Sequence, residues 1–234
     1  HKLIRILTHE IMNSVTPITS LTETMQSMLT SRQGTQKSLA ELNEDTIADI
    51  RFSLETIHKR SEGLLNFVEA YRTLSRVPKP SRTAVPLKDY LNHIGNLLSA
   101  EIAQEKIQFH ASVQSEALTL NVDKTLMEQV LINLVTNSIQ ALRNRPEKKI
   151  SITARKTDSG VIIEVADTGI GIPAKELKEI FVPFFSTKKN GSGIGLSLAK
   201  QIMTLHNGSI TVNSTPNYGT TFFLRFRSSD VVSE

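Results

Sequence analysis

Residues 161–171 read Val-Ile-Ile-Glu-Val-Ala-Asp-Thr-Gly-Ile-Gly. The first six residues form an apolar run of strand length, rich in β-branched side chains, which stops at Asp167 and gives way to two glycines. A second cluster, Gly191-Ser192-Gly193-Ile194-Gly195, opens directly into Leu196-Ser197-Leu198-Ala199, the start of a helix that runs to about Leu205. Glycines just ahead of a helix let backbone amides approach phosphate oxygens at the positive helix end. Taken singly, each cluster is a weak signal, with a flexible loop as the plain alternative. The second is no dinucleotide fingerprint: the segment before it, PFFSTKKN, is not a buried strand, and its last glycine spacing is wrong. It is no P-loop either, because no Gly-Lys-Ser/Thr follows.

Working outward, the periodicity predicts a helix over Leu87–Gln104, strands at Ile107–Val113 and Ala117–Asn121, and a strong helix from Asp123 to about Leu142. Strands at Ile150–Ala154 and Val161–Ala166 follow. After the helix at Leu196–Leu205 come Gly208, a plausible helix-ending glycine, and strands at Ser209–Asn213 and Thr221–Phe226. Helices and strands mixed without regular βαβ alternation indicate an α+β sandwich over residues 87–234.

The N-terminal part has a different rhythm. Ile4, Leu7, Ile11, Val15, Ile18, Leu21, Met25 and Met28 fall three or four apart and make one stripe down a helix. Pro17 lies inside it, where a proline removes one backbone hydrogen bond. A polar connection over roughly residues 30–43 leads to a second helix. There Ile47, Ile50, Leu54, Ile57, Ser61, Leu64, Val68 and Tyr71 keep a seven-residue repeat typical of a bundle seam. A hairpin alone buries little, so residues 1–76 are expected to pair with a second copy as a four-helix bundle in a homodimer. The three prolines of VPKPSRTAVP place a linker at 77–86.

Composition narrows the class. Hydrophobic residues make up 39% and charged residues 21%, which suits a globular chain with a core. No apolar run reaches the roughly 18–20 residues of a membrane span, and HKLIRILTHE is not a signal peptide. With no cysteine, disulfide frameworks and thiolate metal sites are excluded. The net charge of +4 is spread along the chain without a nucleic-acid motif, so no nucleic-acid partner is expected.

Read in order, the second half contains Asn133-Leu-Val-Thr-Asn137, Asp167-Thr-Gly169-Ile-Gly171, Phe181-Val-Pro-Phe-Phe-Ser-Thr-Lys188, the Gly191/Gly193/Gly195 cluster and Gly219-Thr220-Thr221-Phe222. This set resembles the ATP-binding domain of sensor histidine kinases, a branch of the fold shared with Hsp90, gyrase B and MutL. The resemblance covers about residues 84–227. It implies that ATP and Mg²⁺ bind here. Asp167 would accept from the exocyclic amine of adenine, with Gly169, Gly171 and Thr220 lining that end. Asn137 would hold Mg²⁺ through its amide oxygen, reasonable where the triphosphate already supplies negative charge. Asn133, one turn earlier on the same face, would lie beside the phosphates. Lys188 would place a point charge on them, Gly193 and Gly195 would let a lid close over them, and Gly191 and Leu196 belong to the same nucleotide-binding set. Phe181 and Phe184 read more simply as packing residues of that lid. The hydrolases of this fold carry a water-activating glutamate where Asn133 stands. An amide accepts no proton at neutral pH, so a kinase is favoured over an ATP-driven conformational machine. A degenerate kinase acting only as a binding module is disfavoured by the complete set of motifs.

The phosphate then needs an acceptor. Of six histidines, His58, His93, His110 and His206 read as surface or satisfied polar residues. Thr8-His9-Glu10-Ile11-Met12-Asn13 resembles the phosphoacceptor box of histidine kinases and lies on the first predicted helix. His9 falls off the core stripe, and Glu10 can act as general base toward the imidazole. Asn13, at i+4, matches the position that holds water for dephosphorylation of a response regulator. The commonest version of the box has proline five residues after the histidine, where this chain has Ser14. With NSVTPI following HEI, the pattern is closer to the nitrogen-regulation sensor subgroup. The resemblance implies a cytoplasmic segment, partnered by a receiver domain, of a protein anchored in the bacterial inner membrane.

Overall fold

The structure is a computed structural model that describes residues 2–30, 34–38, 41–188, 191 and 193–232; of residues 2–7, 9 and 10 the backbone alone is described. The chain divides into two compact units, His1–Ser75 and Arg76–Glu234.

The first unit is a hairpin of α1 (Lys2–Leu29) and α2 (Glu44–Ser75). The connection is tied back by the Lys37 amide, which donates to Leu29 O at 2.9 Å, and by Lys37 Nζ on Met28 O at 2.7 Å. Asn43 Oδ1 accepts from the Thr46 amide at 2.8 Å, capping α2, and Glu44 and Asp45 lie in its first turn, where negative charge meets the helix dipole favourably. Helix α1 continues unbroken past Pro17. The predicted seam of α2 resolves into two lines. Ile50, Ile57, Leu64 and Tyr71 are half-buried, with Ser53, Ala70 and Leu74 fully buried beside them. Ile47, Leu54 and Val68 are exposed.

The second unit is a two-layer sandwich. Its sheet runs in the order β2 (Gln108–Val113), β4 (Lys149–Thr157), β5 (Gly160–Asp167), β7 (Gly219–Arg227), β6 (Ser209–Thr215). Only the β2–β4 pair is parallel. One face is covered by α3 (Leu87–Leu97), α5 (Lys124–Leu142) and α7 (Gly195–Leu205). Strand alternation builds the core: Ile150, Ile152 and Ala154, then Val161, Ile163 and Val165, then Phe222, Leu224 and Phe226 are all buried. The same alternation places Asp167, two residues past Val165, on the buried face of β5.

Several elements depart from expectation. Thr83–Pro86, placed in the linker by its prolines, is strand β1, antiparallel to β3 (Thr119–Val122), which also pairs with β8 (Val231–Val232). Pro86 is tolerated because β1 is the edge of that three-stranded sheet. The segment is anchored just upstream, where the Ser81 amide donates to Asp123 Oδ2 at 2.8 Å and Arg82 pairs with Asp230 at 2.9 Å. The predicted helix 87–104 breaks at Leu98 (φ −103°, ψ 9°) into α3 and α4 (Ser99–Gln104). A one-turn helix α6 (Ala174–Leu177) follows Pro173, which pre-sets φ for a helix start. Among the described residues no helix is long and apolar enough to cross a membrane.

Candidate nucleotide site

Helix α5 is the spine of the site. Asp123 caps it, its Oδ1 accepting from the Leu126 amide at 3.0 Å. Apolar residues fill its buried side, among them Leu131, Leu134 and Val135. Asn133, Asn137 and Gln140 recur at helical spacing on another face, Asn133 meeting the start of α7 and the other two both meeting Lys188.

At the first of these turns, an added Cβ on Gly195 would lie 2.1 Å from Asn133 Oδ1, so a side chain where α7 begins would displace the Asn133 amide. The Asn133 side-chain amide nitrogen is buried and has no hydrogen-bond partner among the described residues. A buried donor without an acceptor costs about 1–3 kcal/mol, and here it sits beside the N-terminus of a helix, where an anion is favoured.

At the second turn, Lys188 Nζ donates to Asn137 Oδ1 at 2.8 Å and also to Gln140 Oε1. Burial lowers the affinity of Lys188 for its proton, and Arg143 adds like-charge repulsion. The Asn137 amide oxygen thus already solvates a cation. A neutral oxygen that can face a positive charge suits the Mg²⁺ implied by the motif.

Ser138, the residue after Asn137, meets Asp167 of β5, which is 8% exposed. Its Oδ2 accepts from Ser138 Oγ at 2.9 Å and its Oδ1 from the Gly169 amide at 2.8 Å. Burial raises its pKa above the ordinary carboxylate value, while hydrogen bonds from Gly169, Ser138 and the Thr220 amide pull it down. Thr220, its register partner on β7, is buried, with its hydroxyl 2.9 Å from Ser214 Oγ.

The two glycine segments are held differently. Gly171 has φ +70° and abuts the turn between β6 and β7. Gly193 has φ +67°, and its carbonyl accepts from the Phe184 amide at 2.9 Å, tying the second cluster to the preceding segment. Gly191 packs against Ser186, and Leu196 is half-buried in the first turn of α7. Phe181 stacks edge-on to Phe222 with centroids 6.5 Å apart, and Lys200 lies 5.6 Å over its ring, in keeping with a packing role.

Asn133, Asn137, Lys188, Asp167, Gly169, Thr220 and the glycine loops therefore gather on one end of the second unit. Sequence reasoning missed Gln140, Ser138 and Ser214. Gln140 was findable as the i+3 neighbour of Asn137; the two serines carry no signal apart from the fold. His9 and Glu10 lie on the backbone of α1, but their side chains fall outside the described residues. Asn13, one turn further, is exposed.

Comparison with known proteins follows the same division. Residues 122–230 match the family described as histidine kinase-, DNA gyrase B- and HSP90-like ATPase. The signal transduction histidine-protein kinase AtoS of Escherichia coli K12 is 30% identical over 216 residues, covering 92% of this chain and 33% of AtoS. The catalytic domain of histidine kinase ThkA is similar at 33% identity with a TM-score of 0.57, covering 63% of this chain and 96% of that one. ThkA in complex with the response regulator protein TrrA matches at 25% identity and a TM-score of 0.64, covering 97% of this chain and 61% of that one. The chain spans about a third of the length of the curated relatives it matches.

Proposed function

The chain belongs to the histidine kinase family, and we propose that it transfers the γ-phosphoryl group of ATP to its own His9 and then to an aspartate of a response-regulator receiver domain. The observation that carries this reading is the line of contacts along α5. Asn133 offers an unpartnered buried donor beside a helix N-terminus, Asn137 turns its oxygen to a cation, and Ser138 holds the buried carboxylate of Asp167. Those are the groups a Mg²⁺-triphosphate and an amine-bearing base call for.

In this reading Asp167 accepts from the adenine amine, with Thr220, Gly169 and Gly171 beside it. Gly191, Gly193, Gly195 and Leu196 lie along the phosphates, where α7 begins. Asn137 would hold Mg²⁺, which when bound would neutralise phosphate charge. Lys188 moves its ammonium from the Asn137 and Gln140 oxygens to phosphate oxygens. Phosphoryl transfer needs mainly such positioning and charge stabilisation. One imidazole nitrogen of His9 attacks the γ-phosphorus and the bond to the ADP oxygen breaks. The proton on the other ring nitrogen passes to Glu10. Water is a poor rival because Asn133 supplies no base.

The rest of the reading has separate support. Residues 1–75 act as dimerisation and phosphotransfer hairpin and residues 76–234 as ATP-binding domain, strand β1 taking up the end of the expected linker, and exposed Ile47, Leu54 and Val68 favour a homodimer. A receiver-domain partner is supported by the complex of the similar kinase ThkA. Asn13, exposed four residues beyond His9, makes the protein a regulator phosphatase as well. The segment works in the cytoplasm, and the similarity to the sensor histidine kinase ZraS favours a sensor protein anchored in the bacterial inner membrane.

Incubation with γ-labelled ATP and Mg²⁺ tests the central claim. Wild-type chain should acquire acid-labile label and pass it to a receiver domain from a panel. His9→Gln should bind nucleotide yet take up no label; undiminished label in that variant would refute His9 as acceptor.

A further inference from the structure

The loop Asp167–Gly171 and the β6–β7 turn, residues 215–219, meet backbone against backbone. An added Cβ on Gly171 would lie 2.2 Å from Thr215 O, and one on Gly219 would lie 2.0 Å from Asp167 O. Contacts this close leave little room for side chains to lock the two segments. At one end Ser214 does so, its Oγ accepting from the Ile172 amide at 2.8 Å and donating to Gly219 O at 2.9 Å. At the other end the lock comes from a third element. Arg145 follows α5, its amide donating to Leu142 O at 3.0 Å. Its Nε donates to Thr168 O at 3.3 Å and its Nη2 to Asn217 O at 2.7 Å. The two acceptors are carbonyls nearly fifty residues apart, one on each segment. Asn217 stands in the left-handed region (φ 68°), its amide donating to Ile170 O at 2.8 Å. Thr168 is fixed from behind, its amide donating to Lys149 O at 3.2 Å and its hydroxyl to Glu147 O at 3.0 Å.

Arg145 is half-buried, and among the described residues no carboxylate pairs with it. A guanidinium spent on two carbonyls is a fork, not a surface ion pair. Its planar donors, Nε and Nη2, reach the two acceptors from separate nitrogens in a fixed geometry, whereas an ammonium would have to bridge both from one flexible nitrogen.

We propose that Arg145 is a positioning residue for the base, clamping the loop that carries Asp167 to the turn that leads into Thr220, and so setting adenine affinity and preference. The proposal rests on the adenine-nucleotide reading of the site. Arg145 itself touches no substrate; it acts through the Thr168 and Asn217 carbonyls. The effect belongs to the base end and not to the phosphates, because both carbonyls flank Asp167 and Thr220, away from Asn133 and Asn137 along α5.

The test is calorimetric binding of ADP and GDP to the 234-residue chain, with melting temperature measured alongside. Arg145→Ala should weaken ADP binding about tenfold, the scale of a lost charge-assisted hydrogen bond. It should reduce the preference for ADP over GDP by a similar factor and leave the melting temperature within a few degrees. Arg145→Lys should show the same loss, and it carries the comparison by itself if the alanine variant fails to fold. Wild-type preference in Arg145→Lys overturns the proposal, since a single charge would then suffice. A lowered melting temperature with unchanged base preference overturns it too, as a role in stability alone. If wild-type chain binds ADP no better than GDP, the adenine reading falls and the proposal with it. If wild type prefers ADP and the variants match it, the proposal alone falls.

Discussion

Asp167 faces donors of unlike freedom: the Gly169 and Thr220 amides and the Ser138 hydroxyl. The Gly169 amide can only donate to Oδ1, whereas the Ser138 hydroxyl beside Oδ2 can turn and accept. Asp167→Asn therefore fits the fold by keeping its oxygen toward Gly169 and its NH₂ toward Ser138. What it loses is the ionised acceptor. Affinity for ATP should fall roughly a hundredfold while the melting temperature changes little; calorimetry giving wild-type affinity would contradict the adenine role. Asn13 poses a separate question. Dephosphorylating a regulator needs only a water held in line with an acyl phosphate, which an amide can do without supplying a base. Asn13→Ala should keep autophosphorylation within a few-fold and lose roughly 10²-fold of phosphatase activity. The decay of phosphorylated regulator mixed with each core plus ADP measures this, and decay as fast as with wild type would leave Asn13 a plain surface residue. Both residues could be singled out in the sequence, since their motifs are local. Arg145 could not, because its acceptors lie 23 and 72 residues away and no pattern links them.

Among elements, the junction of α7 with α5 depends on His206, which is 1% exposed. Its Nδ1 lies 2.8 Å from Ile202 O and must carry the proton; its Nε2 accepts from the Asp123 amide at 3.0 Å. Protonating Nε2 would set two N–H groups against each other where α5 begins. Burial lowers the pKa below the ordinary 6.5 and nearby Arg82 adds to this, while the Ile202 carbonyl, Asp123 and Asp230 oppose it. As pH falls the unfolded chain takes up this proton first. Stability should therefore decline once pH drops below about 6.5 and level off below the folded pKa. Denaturant unfolding across pH 5 to 7.5 should show that slope in wild type and not in His206→Gln; equal slopes would remove His206 as its source. Asp123 contributes in a different window. Burial works against its charge, but amides of Leu126, Ser81 and Thr125 outweigh it and lower its pKa, so its stabilisation is lost only in stronger acid. The long periodic elements, α1, α2, α5 and α7, could be read directly from the chain. Strand β1 could not, because its prolines argue for a linker and only pairing with β3 makes it a strand.

At the scale of the whole molecule, the hairpin leaves apolar side chains uncovered at seven-residue spacing: Ile47 at 49%, Leu54 at 54% and Val68 at 47% exposure, with Ile11 and Val15 on α1. Already about half covered, each would gain roughly half of the 1.5–3 kcal/mol that burying a fully exposed side chain is worth, and a second copy of the same hairpin supplies matching surface under two-fold symmetry. Leu54→Glu should shift sedimentation from dimer to monomer at micromolar concentration and leave ADP binding by residues 76–234 intact. A variant that stays dimeric would place the interface elsewhere.

Residues and their spacing alone establish an α+β second half behind a helical hairpin and the order of the glycine-rich motifs on which the resemblance to histidine kinases rests, because helix period, strand period and glycine loops are local properties of a chain. Tertiary structure decides what depends on distant partners. It divides the α2 seam into a buried and an outward line, turns Asn137 toward Lys188, leaves the Asn133 donor unpaired and closes the Arg145 clamp. Each of those depends on which loops the folded sheet brings to one face of α5, and hydrogen bonds made across fifty or seventy residues leave no periodicity to read.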